Sequence, residues 1–353
     1  MMQKRVLVGM SGGVDSSMAV SLLKEQGYDV SGVTLRLCID PTTVDEKTAQ
    51  AESDAADTAR RLNIPHTVWD YRAYFRDTVV ADFAAVYAEG ATPNPCIVCI
   101  RCVNFGKMLE DALEAGYDGI ATGHYVRSVW DGQRGRWLLK KGVDPARDQS
   151  YVLYMLTQHQ LAHTLFPLGE YCKPDLRRMA EERGFVNANR PDSQDICFVP
   201  DGDYAAFLTE TMGLRGVPGD FVDEAGKTLG QHRGIIHYTI GQRKGLGVAF
   251  GEPRFVIAKD AEKNTVTLGD NAMLFRRELI AANVNWIAVD TLTEPMRVTA
   301  RTRYHQTEAP ATVEPCGEDG FRLVFDEPQR AITSGQAVVL YDGDIVVGGG
   351  TIV

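Results

Sequence analysis

An apolar run followed at once by two glycines, an aspartate and three serines opens the chain. Residues 4–10 read KRVLVGM, residues 11–17 read SGGVDSS, and residues 18–27 read MAVSLLKEQG. This order predicts a buried strand, a tight turn and a helix. In such a turn the backbone N–H groups can close around an anion, with the positive end of the helix dipole behind them. The junction therefore predicts a phosphate site at the start of an α/β domain.

Strand and helix patterns go on alternating through the first 203 residues. DVSGVTLRL and IPHTVWD read as strands on either side of the helical TAQAESDAADTARRLN, and FGKMLEDALEAG and KPDLRRMAEERG read as further helices. Such alternation is typical of a doubly wound, mostly parallel sheet. We expect this α/β fold over residues 1–203.

The pattern changes twice in the remaining chain. Residues 204–273 are rich in glycine and predict a small central domain of strands and loops. Residues 274–353 contain short apolar runs, the first of them VNWIAV, at roughly ten-residue spacing with turn residues between them. That spacing predicts a compact antiparallel barrel or sandwich, and we take the barrel as the C-terminal domain.

Composition limits where such a protein can act. The 353 residues carry a net charge of -10, which argues against general affinity for nucleic acids. Two clusters rich in Lys and Arg, at residues 127–147 and 173–190, can still supply local phosphate contacts. No stretch approaches the roughly 18 consecutive apolar residues of a membrane helix. We therefore expect a cytoplasmic protein with no membrane partner.

Four of the seven cysteines stand out from the rest. Cys96, Cys99 and Cys102 follow a proline-rich turn at steps of three, so in a helix they would point roughly the same way. Cys197 lies in the polar segment RPDSQDICFVPDGDY, where a core role does not fit. An odd number of cysteines in a large chain favours thiol chemistry or metal binding over a disulfide framework. For Cys38, Cys172 and Cys316 we expect the ordinary role of a small core residue.

The glycine-rich turn matches neither of the two commonest phosphate motifs. It lacks the GK[ST] ending of Walker loops and the GxGxxG of dinucleotide folds. SGGVDSS instead resembles the SGGxDS loop of the PP-loop ATPases, which cut ATP between the α and β phosphates. That resemblance implies ATP, and Mg²⁺ held by Asp15. The implied ATP-binding residues are Gly9, Met10, Ser11, Gly12, Gly13, Val14, Asp15, Ser16, Leu35 and Gly123.

Five further motifs extend the resemblance along essentially the whole chain. NPC..C, TGHY, ARDQSYVLY, SQDICF and HYTIGQRKGLG, in this order, resemble the tRNA-specific 2-thiouridylases. The resemblance implies a PP-loop sheet of the adenine nucleotide alpha hydrolase type. It also implies 2-thiolation of the wobble uridine, position 34, in tRNAs for Lys, Glu and Gln. In that reaction uracil O2 is adenylated, and a persulfide sulfur then displaces AMP.

The same resemblance assigns roles to the cysteines. Cys197 matches the cysteine that receives sulfur as a persulfide from a carrier protein or a cysteine desulfurase. Cys99 matches its partner thiol, which frees hydrosulfide or resolves the intermediate and leaves a Cys99–Cys197 disulfide. Attack needs a thiolate, so a lowered thiol pKa would help. Cys96 departs from the family, because other members carry an aspartate there as the proposed general acid/base.

That departure opens a second hypothesis. Cys96, Cys99 and Cys197 would also form the ligand set of a [4Fe–4S] cluster with one open iron, and Cys102 is a candidate fourth ligand. The phosphate motif by itself is also compatible with an ATP-dependent amidoligase of the same fold, or with a sulfur carrier or scaffold without turnover.

The resemblance also implies how the anticodon stem-loop of tRNA is bound. The wobble base must leave its stack to reach both a thiol and ATP. We expect a monomer that binds tRNA and a sulfur-donor protein. The implied tRNA-binding residues are Asn94, Pro95, Cys96, His124, Arg147, Asp148, Gln149, Arg303, Tyr304 and Gln336.

Overall fold

Five parallel strands form the sheet of the N-terminal part. The computed structural model describes residues 3–37, 46–185, 187–188, 196–199, 202–248 and 251–353. The strands are β1 (Arg5–Gly9), β2 (Asp29–Arg36), β3 (His66–Asp70), β4 (Gly119–Ala121) and, after a hairpin of β5 (Val126–Asp131) and β6 (Arg136–Lys141), β7 (Thr164–Leu165). Their order in the sheet is β3-β2-β1-β4-β7. All neighbouring pairs are parallel, which confirms the predicted sheet.

Helices cover both faces of this sheet. Because side chains alternate along a strand, Leu7 of β1 joins one apolar cluster while Val6 and Val8 join another on the opposite face. The helices are α1 (Val14–Glu25), α2 (Glu46–Arg61), α3 (Arg72–Phe75), α4 (Ala81–Ala88), α5 (Pro95–Cys99), α6 (Met108–Glu114), α7 (Ser150–Leu153), α8 (Gln158–Ala162) and α9 (Lys173–Glu182), with π-helical segments at Arg76–Val80 and Ile100–Lys107. Among the described helices, none is both long and apolar enough to cross a bilayer.

One continuous helix carries three of the cysteines. It consists of α5, the π-helical segment Ile100–Lys107 and α6, and we call it the cysteine helix. Asn94 caps its start by accepting a hydrogen bond from the Ile97 N–H, and a proline occupies its first position. Gly116 follows its end with φ +81°, a conformation that glycine adopts without strain. The predicted helix after the proline-rich turn is therefore present, but with a π-helical middle.

A small second sheet follows α10 (Tyr204–Thr211). Its strands are β8 (Gly219–Val222), β9 (Thr228–His232), β10 (Phe255–Asp260) and β11 (Thr265–Gly269), in the order β10-β11-β8-β9. Phe221, Val256, Val266 and Leu268 are fully buried in its core. This is the small central domain of strands and loops that the glycine-rich segment predicted.

The C-terminal strands close into a six-stranded antiparallel barrel. They are β12 (Phe275–Trp286), β13 (Met296–Arg301), β14 (Ala309–Pro315), β15 (Phe321–Arg330), β16 (Ala337–Asp342) and β17 (Ile345–Ile352). They run in the order β12-β15-β14-β13-β16-β17, and pairing of β12 with β17 completes the circle. The barrel is confirmed. Its first strand begins at Phe275, earlier than VNWIAV. The apolar pattern did not indicate this start, because the first half of β12 is mostly exposed and lacks an apolar run.

The β5–β6 hairpin of the N-terminal part joins the barrel sheet. The two strands pair with each other, and Lys140 of β6 pairs with Ile345 of β17. Hydrogen bonds reinforce the junction: Asn285 Nδ2 donates to the carbonyls of Tyr154 and Leu156, at 2.7 and 3.0 Å. The N-terminal sheet and the barrel are therefore fixed to each other.

We predict that Gly349→Ala loosens this junction. An added Cβ would lie 2.5 Å from the Val338 carbonyl oxygen and 2.6 Å from a ring carbon of Tyr154. Overpacking of this kind costs about 1–3 kcal/mol. Differential scanning calorimetry should show a lower melting temperature, whereas Gly132→Ala, whose Cβ would meet only one atom at 4.0 Å, should leave it unchanged. Equal melting temperatures for both variants would contradict the tight packing.

Candidate active site

The SGGVDSS turn joins β1 to α1 with its backbone held in one conformation. Gly12 has φ +73°, and a Cβ there would lie 2.7 Å from the Ala51 carbonyl oxygen, so only glycine fits. Gly13 precedes the first turn of α1 and offers no side-chain cap to its N–H groups. Uncapped N–H groups at a helix start attract anions. The turn therefore leaves N–H groups of the first turn of α1 without a side-chain cap, as a phosphate site would require.

Contacts from distant segments brace the turn. Asn187 is buried and its Nδ2 donates to the Gly12 carbonyl at 2.9 Å and to Ser17 Oγ at 3.0 Å. Thr34 Oγ1 donates to the Met10 carbonyl at 2.9 Å. These bonds preorganise the turn before any nucleotide arrives.

The other residues expected at ATP lie at the same edge of the sheet. Leu35 is near the carboxyl end of β2, and Gly123 follows the carboxyl end of β4. A Cβ on Gly123 would lie 2.9 Å from the backbone carbon of Asp15. In parallel sheets ligands bind at this edge. All ten residues predicted at ATP are thus on or beside one edge.

Asp15, the predicted magnesium ligand, is engaged in an ion pair. Both of its carboxylate oxygens lie 2.7 Å from Lys173 Nζ, and Oδ1 also accepts a hydrogen bond from the Tyr125 hydroxyl at 2.6 Å. Lys173 is buried at the start of α9, and its backbone N–H donates to Asp144. A single carboxylate is a donor set that suits Mg²⁺, which proteins usually bind together with substrate phosphates. Asp15 would then share its charge between Mg²⁺ and Lys173.

Three cysteines lie on the cysteine helix, and Cys197 adjoins Phe198, which packs against the same apolar cluster as Cys99 and Cys102. Burial raises the pKa of Cys99, and the charges of Cys197, Cys96 and Cys102 add to that effect. Cys96 and Cys197 are exposed, whereas Cys99 and Cys102 are half-buried against the apolar core. Cys102 lies in the π-helical segment that follows Cys99.

Cys197 is held in place by the aromatic ring next to it. Phe198 packs edge-on against Phe75 and Phe83, with ring centroids 5.6 and 5.3 Å apart, and against Phe207 at 5.3 Å. Such aromatic pairs add to the apolar area that they bury. An exposed thiol is thereby presented from a fixed support.

The thiols have higher pKa values than the expected chemistry would favour. Burial, followed by the charge of Cys96, raises the pKa of Cys197 to about 11, and burial raises the pKa of Cys96 and Cys99 as well. The expected lowering is therefore not found in the free protein. Cys96 and Cys197 are exposed as whole residues, but nearby protein atoms limit the hydration of their thiolates, and neighbouring thiolates repel each other.

The thiol arrangement does not fit the iron–sulfur cluster hypothesis. Within the residues that the structure describes, no group of three or more His, Cys, Asp or Glu side chains is placed to hold a metal ion. The six cysteines described are free thiols, and Cys38 lies outside the described residues. Cys172 and Cys316 are half-buried instead of being core residues, because one precedes α9 and the other lies in the turn after β14.

The cysteine helix connects the thiols to the nucleotide edge. Its Phe105 ring packs against the His124 ring at 5.6 Å, and His124 follows Gly123. Its Met108 lies 3.6 Å from where a Cβ on Gly9 would be. Burial lowers the pKa of His124 to about 4, so this imidazole is neutral at pH 7. One rigid element thus spans both halves of the candidate site.

Several residues predicted to bind tRNA have partners within the protein. Asp148 is buried, and its carboxylate accepts hydrogen bonds from the Gly142 and Ser150 N–H groups. Gln149 Oε1 accepts a hydrogen bond from the Tyr125 N–H, at 2.9 Å. These two side chains support the loop that also carries Arg147.

Two more of these residues line an open cavity between the three parts of the chain. Its volume is about 430 Å³. Arg303 and Gln336 of the barrel face Thr239–Gln242 of the HYTIGQRKGLG motif across it. Tyr304 packs against the apolar core, with its ring 6.0 Å from that of Tyr151. The structure thus brings separate motifs to one place, next to the segment that leads into Asn94, Pro95 and Cys96.

The two basic clusters are largely neutralised. Five cations of the first cluster form ion pairs with acidic side chains: Arg127 and Lys140 with Asp344, Arg134 with Asp131, Arg136 with Asp290 and Lys141 with Glu308. In the second, Lys173 pairs with Asp15, Arg178 with Asp175 and Arg183 with Glu25, while Arg190 lies outside the described residues. These runs are therefore not bare cationic tracks.

Three residues that bear on the site were not singled out from the sequence. Lys173 was counted only as part of a basic cluster, and Asn187 and Phe198 carried no signal of their own. Each has a partner between 115 and 175 positions away, such as Phe83 for Phe198 and Gly12 for Asn187. A lysine at the first position of an amphipathic helix was the one available hint.

Comparisons with known proteins cover the whole chain. A family model described as the tRNA methyl transferase HUP domain matches residues 4–201, its PRC-barrel domain matches residues 205–270, and an aminomethyltransferase beta-barrel domain matches residues 276–352. A solved structure of the U34-tRNA thiolase NcsA from Methanococcus maripaludis with its [4Fe-4S] cluster is 16% identical, covering 59% of this chain and 66% of that one, with a TM-score of 0.36. A similarity of that degree supports no conclusion about cofactor or fold.

Curated relatives are far more similar. The tRNA-specific 2-thiouridylase MnmA of Clostridioides difficile is 51% identical over 99% of this chain and 98% of its own length. The protein of that name from Acetivibrio thermocellus is 50% identical over the full length of both. The family models are described with the words methyl transferase, whereas the curated relatives are named as thiouridylases. Because the relatives are about half identical over the whole chain, their family is the one assigned. The chain belongs to the tRNA-specific 2-thiouridylase family.

Proposed function

We propose that this protein is a tRNA-uridine 2-sulfurtransferase that converts the wobble uridine of tRNAs for Lys, Glu and Gln to 2-thiouridine at the expense of ATP. The observation that carries the proposal is the cysteine helix. It joins a thiol cluster at its start to a phosphate-binding edge beside Gly9 and His124. An activating site and a sulfur site on one rigid element are what a two-step thiolation needs.

The first step activates the base. Uracil O2 attacks the α-phosphorus of ATP, the bond to the β-phosphate oxygen breaks, and pyrophosphate leaves. The N–H groups at the start of α1 hold the departing phosphates, and Gly123 lets the nucleotide lie close to the turn. Mg²⁺, held by Asp15 and the phosphates, would neutralise part of their charge. Lys173 supplies a second cation beside Asp15.

The second step inserts sulfur. A donor, either a persulfide carrier or a cysteine desulfurase, first delivers sulfane sulfur to the exposed Cys197. The terminal sulfur then attacks C2 of the adenylated base, and AMP leaves with the former O2 oxygen. Cys99 attacks the Cys197 sulfur, which releases 2-thiouridine and forms a Cys99–Cys197 disulfide. In the other order, Cys99 first releases hydrosulfide, which then attacks C2. Both routes need an external thiol to return two electrons.

The remaining functional assignments stay proposals of the same kind. We propose that a monomer binds the anticodon stem-loop across the cavity between Arg303 and Thr239–Gln242, and that it works in the cytoplasm. Cys96 replaces the aspartate of other members, and its raised pKa limits it as a general acid/base near pH 7. Three alternatives are less favoured. An amidoligase needs no pair of cysteines, and a non-catalytic carrier needs no phosphate-binding edge. A cluster-dependent thiolase needs a metal-binding ligand set, and the described residues contain none.

We predict that Cys99→Ala and Cys197→Ala each abolish 2-thiouridine formation while pyrophosphate release continues. Sulfur transfer needs both thiols, whereas adenylation needs neither. Liquid chromatography of nucleosides from digested tRNA measures the product. Cys316→Ala, in a turn of the barrel, is the matched control and should remain active. Normal product from either active-site variant would refute the assigned roles.

The Asp15–Lys173 pair should govern adenylation. Lys173→Met removes a cation at the phosphate turn, and loss of one such electrostatic group typically costs roughly 100-fold in rate. Pyrophosphate release should fall accordingly, and Arg178→Met, which lies exposed on the same helix, should not change it. The double variant Asp15→Asn/Lys173→Met should recover thermal stability but not adenylation, because it removes both charges of the pair together. Unchanged pyrophosphate release in Lys173→Met would contradict this role.

The thiol at position 197 should react slowly near neutral pH. Its pKa of about 11, against a usual value of 9.0, lowers the thiolate fraction at pH 8 by about 100-fold. Because a thiolate of higher pKa is also more nucleophilic, iodoacetamide labelling followed by mass spectrometry should be about tenfold slower at Cys197 in the folded protein than in urea. The rate should still be rising with pH at pH 10. Labelling that levels off near pH 8 would show that the thiol is activated instead.

A further inference from the structure

A short segment links α4 to the cysteine helix, and the barrel holds it. Thr92 N–H donates to the Ser334 carbonyl at 3.0 Å. Gln336 Nε2 donates to the Thr92 carbonyl at 2.9 Å and to the Pro93 carbonyl at 3.1 Å. The helix begins two residues after Pro93. The barrel is therefore bonded to the backbone that leads directly into the thiols.

The segment depends on these bonds because of its own sequence. Pro93 and Pro95 are buried and have no N–H group, so this stretch cannot pair as a strand. Its carbonyls still need donors, since an unsatisfied buried carbonyl is costly. The side-chain amide of Gln336 supplies one donor group to two successive carbonyls. No carboxylate or hydrocarbon side chain can replace it.

The barrel side of the contact is firmly anchored. Gly335 N–H donates to the Ile352 carbonyl at 2.9 Å, and Ile352 N–H donates to the Gln336 carbonyl at 2.8 Å. Gly335 itself packs closely on the segment, since a Cβ there would lie 2.8 Å from the Thr92 carbonyl oxygen. The end of β17 thus fixes Gln336, and Gln336 fixes residues 92–93.

We propose that Gln336 is a positioning residue that sets the placement of the cysteine helix. Its amide fixes the entry of α5, and thereby where Cys96 and Cys99 stand relative to Cys197. Displacement of a reacting group by about 1 Å can cost 100-fold in rate. The barrel consequently contributes to sulfur transfer from a distance. The inference rests on the proposed roles of Cys99 and Cys197.

The test compares Gln336→Met, which keeps the length of the side chain and removes its donor, with Gln329→Ala elsewhere on the barrel. The first readout, made without tRNA, is the equilibrium between the Cys99/Cys197 dithiol and oxidised glutathione. It reports how well the two thiols are held together and is blind to RNA contacts. The second readout is kcat and KM for 2-thiouridine formation, together with the Kd for tRNA.

For Gln336→Met we expect disulfide formation and kcat to fall at least tenfold while the Kd for tRNA changes less than twofold. Gln329→Ala should match the wild type. A rise in Kd that accounts for the lost activity, with an unchanged dithiol equilibrium, would overturn the proposal in favour of a direct RNA contact. An unchanged kcat would overturn it as well.

A second variant guards against a folding defect. Gly335→Ala leaves Gln336 in place but pushes on Thr92, so its dithiol equilibrium should shift in the same direction. If Gln336→Met does not fold, the dithiol equilibrium of Gly335→Ala is the deciding measurement. A value equal to that of the wild type would refute the proposal. Failure of the wild type to form either the disulfide or 2-thiouridine would instead refute the proposed function, which keeps the two failures apart.

Discussion

The packing of the cysteine helix against the central strands is the contact on which the site depends. Val103, Phe105, Met108 and Leu109 are fully buried in a cluster that also contains Leu7 of β1. This burial fixes the helix relative to the phosphate turn, because β1 leads straight into that turn. Cys96 and Cys99, at the other end of the helix, are therefore also fixed relative to the phosphate turn. Interiors packed at this density transmit small shifts instead of absorbing them.

Local signals in the sequence were enough for the elements that depend on neighbouring residues. The strand, glycine turn and helix at the start of the chain, the helix that ends before Gly116, and the barrel all followed from periodicity and turn residues. The start of β12 did not, because its first half is exposed and shows no apolar alternation. The π-helical turns after Cys99 also had no local signature, since they form where the helix packs against the core.

The electrostatic features of the site were the least accessible from sequence. Lys173 is 158 positions from Asp15, and Arg127 is 217 positions from Asp344, so neither pair can be read from charge runs. The same holds for the thiols, whose pKa values depend on how much protein surrounds them. In this acidic chain, many lysines and arginines of the two basic clusters form ion pairs with acidic side chains. The proposed tRNA site would then rely on the cavity between the three parts of the chain, whose lining only the fold reveals.

The β5–β6 hairpin has a consequence for what counts as a folding unit. Tyr341 and Val346 of the barrel belong to the same apolar cluster as Leu7 and Val33 of the parallel sheet. The hairpin extends the barrel sheet toward that cluster, so one of the two apolar clusters of the N-terminal part is completed by barrel residues. Separate sequence families can match the parts, but cooperative unfolding should not divide between them. A gene fragment ending before β12 would encode an incomplete protein, with apolar surface exposed and a strand edge open to self-association.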